Sequence, residues 1–202
     1  ADVLGRPNLV NACKTSMSSK ILGAESDFFA ELAVSAITSV KQERDGKTKY
    51  PLGNVHILKC HGQSSLDSEL VPGFALNCVR AAQGMPTRVL DAKIACLDFN
   101  LQKHRMQMGV EIIVNDTKQV EEIRQREMDI TKEKIARILD TGAKVILTTK
   151  GIDDLCMKYF IEAGALAVRR VKPADLKKIA KATGAKVVVT MADMEGNEYF
   201  DP

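Results

Sequence analysis

Thr141-Gly142-Ala143-Lys144-Val145-Ile146-Leu147-Thr148-Thr149 and, further on, Thr183-Gly184-Ala185-Lys186-Val187-Val188-Val189-Thr190 are the stretches that decide the fold class. In both, a helical pattern stops, a glycine follows, and a β-branched run begins. The residue just past a helix often needs positive φ, which glycine adopts without a Cβ penalty. The runs 145–149 and 187–190 therefore read as strands. Helices are predicted between them over 152–163 and 173–182. Pro173 opens the second, where its missing N–H costs nothing. Alternation of this kind favours an α/β layer architecture. The five-residue echo alone does not make a solenoid repeat.

Immediately upstream, the spacing predicts a helix over 117–140, about 36 Å long at 1.5 Å per residue. Asp116 and Gln119 resemble a capping box. The apolar stripe is broken: Val120 and Ile123 begin it, Ile135, Ile138 and Leu139 end it, and 124–129 is polar except for Met128. Pairs such as Glu122 with Arg126 can support an exposed helix. Either this helix leaves the core partway or it is a kinked surface helix.

Further upstream, strands are predicted at 74–79, 91–97 and 110–114, with a basic loop over 100–107 between the last two. The first part reads as a short helix over 4–13, a polar stretch over 14–20, and a helix over 27–42 with Ser26 as N-cap. A charged turn at 43–47, a strand at 55–60 and a polar break at 62–68 follow. A domain boundary is placed near Ser68.

Composition bounds the function. Hydrophobic residues make up 45% and charged residues 27%, but aromatics only 4% with no Trp, so the core relies on Ile, Leu, Val and Ala. A net charge of +3 is too balanced for an electrostatic grip on nucleic acid. Five cysteines without a C-x-x-C read as reduced, buried thiols of a cytosolic protein. No apolar run approaches the roughly 18–20 residues needed to span a bilayer, and no signal-peptide pattern opens the chain. The chain begins with Ala and stops just after a strand-like run, so we expect a segment of a longer protein.

Neither common phosphate cradle is present, and no paired Cys/His set has metal spacing. Cys60 and His61 are adjacent, which points them to opposite sides of a strand. Thr149-Lys150-Gly151 joins a strand to a helix N-terminus, where free N–H groups can hold an anion. An α/β anion- or nucleotide-binding enzyme domain using that turn is the alternative reading. Asp153 and Asp154 argue against it, since they already complement the helix dipole. The run Arg169-Arg170-Val171-Lys172, with Lys177-Lys178, lacks interleaved aromatics for base stacking and reads as a solvated surface.

The helix over 152–163 is the clearest anomaly. Ile152, Leu155, Tyr159 and Ala163 form one apolar stripe, and Met157, Phe160, Ile161 and Gly164 form a second. Only Asp154, Lys158 and Glu162 mark a polar edge. Either the helix is sandwiched between two layers or it displays an apolar strip to a partner.

Five ordered motifs carry a resemblance: Thr15-Ser16-Met17-Ser18-Ser19-Lys20, Gly84-Met85-Pro86, Asp91-Ala92-Lys93-Ile94-Ala95-Cys96-Leu97, Lys150-Gly151-Ile152-Asp153-Asp154-Leu155 and Ala167-Val168-Arg169-Arg170-Val171. Together they resemble a group II chaperonin over essentially the whole chain. The resemblance implies a small α+β segment of an intermediate domain over 1–68. It implies a layered α/β apical domain with a β-sheet core over 69–202, and a helical lid protrusion over about 105–130. Non-native polypeptides would be captured between the two-striped helix and the loop 102–108. Met157, Phe160 and Ile161 would give apolar contact, and Lys103, His104 and Arg105 charge preference. Lys20 would sense the γ-phosphate of ATP in the full-length ring. The family's Gly-Asp-Gly-Thr-Thr type loop and its catalytic Asp are absent. This chain alone is therefore expected to be no enzyme and to hold no cofactor, with ATP and Mg belonging to the full-length protein. Expected partners are unfolded polypeptides and neighbouring subunits of a cytoplasmic hetero-oligomeric double ring, with no nucleic acid and no membrane.

Overall fold

The computed structural model describes residues 5–44, 46–62, 64–103, 113–114 and 117–191. The chain divides into two units, 1–77 and 78–202. The sequence reading places a boundary near Ser68.

In the first unit, helices α1 (Gly5–Met17) and α2 (Ser26–Ser39) pack through Val10, Ala30 and Val34, with Leu9, Cys13 and Met17 around them. The Arg6 guanidinium donates to Ser35 Oγ at 2.8 Å, and Lys14 pairs with Asp27 at 2.8 Å. Partners that advance along α1 retreat along α2, so the helices are antiparallel. The turn between them needs its glycine: a β-carbon on Gly23 would lie 2.8 Å from the Ser18 carbonyl oxygen.

Four expectations are corrected in this unit. Helix α1 runs on to Met17, through residues read as a polar stretch. The Thr15 hydroxyl is satisfied inside the helix by the Asn11 carbonyl at 3.0 Å. Ser26 is the first residue of α2, not its cap. The charged turn is an antiparallel hairpin of β1 (Gln42–Arg44) and β2 (Lys47–Lys49). The predicted strand at 55–60 has no ladder. A strand must satisfy its N–H and C=O groups on a neighbour, and no described residue pairs with it. Ile57 and Leu58 are accordingly exposed. The His56 ring stacks on Phe74 with centroids 4.9 Å apart.

The second unit is built on a parallel sheet in the order β5-β4-β3-β6, from β3 (Lys93–Leu97), β4 (Ala143–Thr148), β5 (Leu166–Val168) and β6 (Val187–Val188). Helices α3 (Thr117–Asp140), α4 (Asp154–Glu162) and α5 (Pro173–Thr183) connect them. The two echoing turns behave as their sequence demands. Gly142 has φ 79° and Gly184 has φ 76°, conformations that a side chain resists. The core gathers Leu97, Leu101, Ile135, Ile138, Ile146 and Phe160, each at most 2% exposed.

Helix α3 divides along its length. Residues 117–126 are exposed apart from Ile123, while Thr131, Ile135 and Ile138 are buried. The broken stripe in the sequence is thus a break in burial. Part of the expected lid, 105–112 and 115–116, lies outside the described residues, as does the capping Asp116. The predicted strand at 74–79 is irregular, and only Arg80 bridges to Val168. Of the predicted strand at 110–114 only 113–114 are described, without strand pairing.

Candidate functional site

The turn from β4 into α4 tests the anion-site alternative. Thr149 N–H donates to Leu97 O at 3.2 Å, and Asp153 N–H donates to Leu101 O at 2.8 Å. Lys150 N–H donates to Thr148 Oγ1 at 3.2 Å, Gly151 N–H to Asn100 Oδ1 at 3.4 Å, and Asp154 N–H to Asp153 Oδ1 at 3.0 Å. The Thr149 hydroxyl donates to the Asp98 carboxylate. Donors that an anion would need are already spent on internal acceptors, and Asp98 and Asp153 add repulsion. The turn is a structural joint: it fixes where α4 starts.

From that joint α4 shows two unlike faces. Ile152, Cys156, Met157 and Phe160 point into the core, with Phe160 0% and Met157 9% exposed. Ile161 is 37% exposed, on the side of the helix that carries the ion pair of Lys158 with Glu162 at 3.9 Å, while Leu155 and Tyr159 are half-buried on the other flank. The sequence reading puts Met157, Phe160 and Ile161 on one contact surface. The structure separates them by burial: Met157 and Phe160 are packed into the core, while Ile161, one turn beyond Met157 on the same flank, rests against Gly84 and stays exposed. The buried face draws on both stripes, Ile152 from one and Met157 with Phe160 from the other, and Ile161 is left partly exposed.

A segment that sequence reasoning left without a role lies against Ile161. A β-carbon on Gly84 would be 3.4 Å from Ile161 Cγ2. The segment is anchored to β5. Ala81 N–H donates to Ala167 O at 2.8 Å, Ala167 N–H donates to Met85 Sδ at 3.3 Å, and Arg80 donates to Met85 O at 2.8 Å. Met85 is 2% exposed. The available signal was Gly84-Met85-Pro86, whose small-then-anchor pattern fits a backbone pressed on a helix.

The loop expected to form the other wall is described only in part. Lys103 Nζ pairs with Glu127 Oε2 at 2.5 Å, which ties the loop to α3 near the point where that helix enters the core. Phe99 receives a second contact from the same helix, with Lys134 Nζ 5.4 Å from its ring centroid. His104 and Arg105 lie outside the described residues. Lys20, in the first unit, is exposed, and its side chain makes no capping hydrogen bond.

Cys96 and Cys156 are buried, but Cys60 is exposed and Cys13 and Cys78 are intermediate, so the expectation of five buried thiols is corrected. Burial, with the nearby Asp153 charge, pushes the Cys156 thiol up to about 11. No three His, Cys, Asp or Glu side chains among the described residues are grouped to hold a metal ion. No helix among them is long and apolar enough to cross a membrane. The described residues do not assemble a site that fits a magnesium nucleotide: no acidic or histidine cluster is grouped to hold the metal, and the N–H groups of the β4–α4 turn are already occupied.

Comparison with known proteins gives these features a setting. The chain is 61% identical over 200 residues to T-complex protein 1 subunit alpha of Arabidopsis thaliana and 54% identical over 200 residues to that of Schistosoma mansoni. Each match covers 98% of this chain and 37% of the relative, so the chain spans little more than a third of those proteins. Thermosome subunit beta of Aeropyrum pernix is 40% identical over 181 residues, which are 90% of this chain and 33% of that one. Among solved structures, an open-state monomer of a group II chaperonin from Methanococcoides burtonii superposes with a TM-score of 0.67 at 30% identity, covering 91% of this chain and 40% of that chain. The TCP-1/cpn60 chaperonin family model matches residues 2–199, and with the α/β architecture of its structural neighbour this establishes that the chain belongs to the TCP-1/cpn60 chaperonin family.

Proposed function

We propose that this chain is the polypeptide-capturing part of a chaperonin subunit, made of an intermediate-domain segment followed by an apical domain. The observation that carries the reading is Ile161. It is a large apolar side chain left partly exposed at the edge of the helix face that Met157 and Phe160 pack into the core. The Gly84 backbone forms a floor beside it. Exposed apolar surface next to a rigid wall suits transient capture of unfolded chains. In this reading Met157 and Phe160 hold the helix in place and Ile161 makes the contact. Lys103, with His104 and Arg105, adds charge preference along the loop.

The exposed first half of α3 fits a lid element that gains partners only from neighbouring subunits. In the full-length protein, ATP with Mg would bind elsewhere in the chain, and the exposed Lys20 ammonium would meet its γ-phosphate, a task that suits a flexible point charge. The ring would be a cytoplasmic hetero-oligomer that closes over its substrate. These statements rest on the relatives, of which this chain spans 37%.

The test is binding of a fluorescent, chemically unfolded polypeptide, with the native form as control. Selective binding of the unfolded form, weakened by Ile161→Ser at unchanged melting temperature, supports capture at α4. Equal binding of native and unfolded forms, or no effect of Ile161→Ser, overturns it.

A further inference from the structure

The basic run after β5 is absorbed neither by the core nor by the capture surface. Strands β4 and β5 pair in parallel up to Leu147 opposite Val168, and their exits stay together. Arg170 N–H donates to Lys150 O at 3.1 Å, and Val171 N–H donates to Thr148 O at 3.0 Å. Lys150, Arg169, Arg170 and Lys172 are thereby collected on two adjoining chain segments, and all four are exposed.

The backbone makes this arrangement possible. Side chains alternate along an extended chain, so Arg169 outward would send Arg170 inward. Arg170 instead has φ 57°, a left-handed conformation that arginine disfavours. That single residue resets the alternation: both arginines face solvent, and Val171 turns inward at 1% exposure. None of the four cations forms an ion pair with a described residue. The neighbouring acids are Asp98, which accepts from the Thr149 hydroxyl, and Asp153, Asp154 and Asp175, which sit in or just before the first turns of α4 and α5, where they complement helix ends.

We infer that Lys150, Arg169, Arg170 and Lys172 form a docking surface for an acidic, extended polypeptide segment. The inference deepens the capture reading by naming a client chemistry, and it rests on that reading for the client being a polypeptide. Carboxylates suit it because two guanidinium forks offer paired donors to planar oxyanions. Nucleic acid suits it less, since no Phe, Tyr or Trp stands in 145–154 or 166–178 to stack a base.

The test compares a fluorescent oligo-glutamate peptide, an oligo-glutamine peptide of equal length, and an oligothymidylate of equal charge. Each is titrated onto the parent chain and onto the combined variant Lys150→Gln, Arg169→Gln, Lys172→Gln, which leaves the Arg170 backbone position untouched. Expected is binding of oligo-glutamate but not oligo-glutamine, weakened about tenfold or more in the variant and by added salt. The melting temperature of the variant is measured alongside. An uncharged unfolded polypeptide is titrated in parallel, so that failure of capture at Ile161 and failure of the cationic surface give different patterns. Equal affinity of variant and parent for oligo-glutamate overturns the inference. So does absence of oligo-glutamate binding to the parent, or tighter binding of oligothymidylate.

Discussion

Gly84 lies directly against Ile161: a β-carbon at residue 84 would stand 3.4 Å from Ile161 Cγ2. The exposed isoleucine of α4 therefore rests on bare backbone, which fixes its position while leaving its outer side open at 37% exposure. Ile161→Ser removes apolar surface that a client would cover and little that the fold needs. The expected outcome is a loss of about 1–2 kcal/mol in affinity for unfolded polypeptide, roughly tenfold. Folding stability should change by no more than about 0.5 kcal/mol, as at other surface positions. Fluorescence titration and a thermal melt of the same sample read both numbers.

Phe160 is the neighbour with the opposite role. It is 0% exposed and belongs to the cluster that joins α4 to the sheet through Leu97, Ile146 and Ala167. Phe160→Ala leaves a cavity that the surrounding strands cannot close, and it should cost about 3–5 kcal/mol in denaturant unfolding. Any loss of polypeptide binding in that variant should track the fraction unfolded. A Phe160→Ala protein that stays fully folded yet loses binding would place the contact at residue 160 instead.

The contrast between residues 160 and 161 marks where the sequence was legible and where it was not. The two Thr-Gly-Ala-Lys turns announced the helix-to-strand alternation of an α/β layer, because a glycine past a helix end has a single strong physical reason. The interrupted stripe of α3 left two readings open, a helix leaving the core or a kinked surface helix, and the change from mainly exposed 117–126 to buried Ile135 and Ile138 fits the first. Strands at 55–60 and 74–79 were misread because β-forming side chains do not reveal whether a neighbouring strand exists. On α4, apolar residues surround most of the helix, so periodicity could not say which stripe the sheet would take. Gly84 was invisible as a site residue, since its contribution is the absence of a side chain.

Lys103 and Glu127 should behave as a latch of modest strength. Their 2.5 Å contact joins the loop after β3 to α3, but both side chains keep partial exposure, 43% and 24%. A double-mutant cycle with Lys103→Gln and Glu127→Gln is expected to give a coupling of about 0.5–1 kcal/mol in urea unfolding at low salt. At roughly 1 M salt the coupling should fall toward zero. A coupling that survives high salt would mean that the pair is shielded from solvent.

The cysteines offer a chemical reading of burial that does not depend on binding. Cys60 is exposed, whereas Cys96 and Cys156 are 1% exposed and both thiols are pushed up by burial, Cys156 to about 11. The thiolate is the reactive form. An alkylating reagent at mildly alkaline pH should therefore modify Cys60 first and reach Cys96 and Cys156 only after denaturant opens the second unit. The same shift fixes the sign of a pH effect. Below the ordinary thiol value of 9.0, Cys156 is neutral in both folded and unfolded chains, and its contribution to stability is intact. Between 9.0 and about 11 the unfolded chain releases this proton while the folded chain keeps it, so stability falls as pH rises through that window. Cys156→Ala should flatten the fall across that window, measured as the urea midpoint against pH. An unchanged slope in that variant would assign the alkaline loss to other groups.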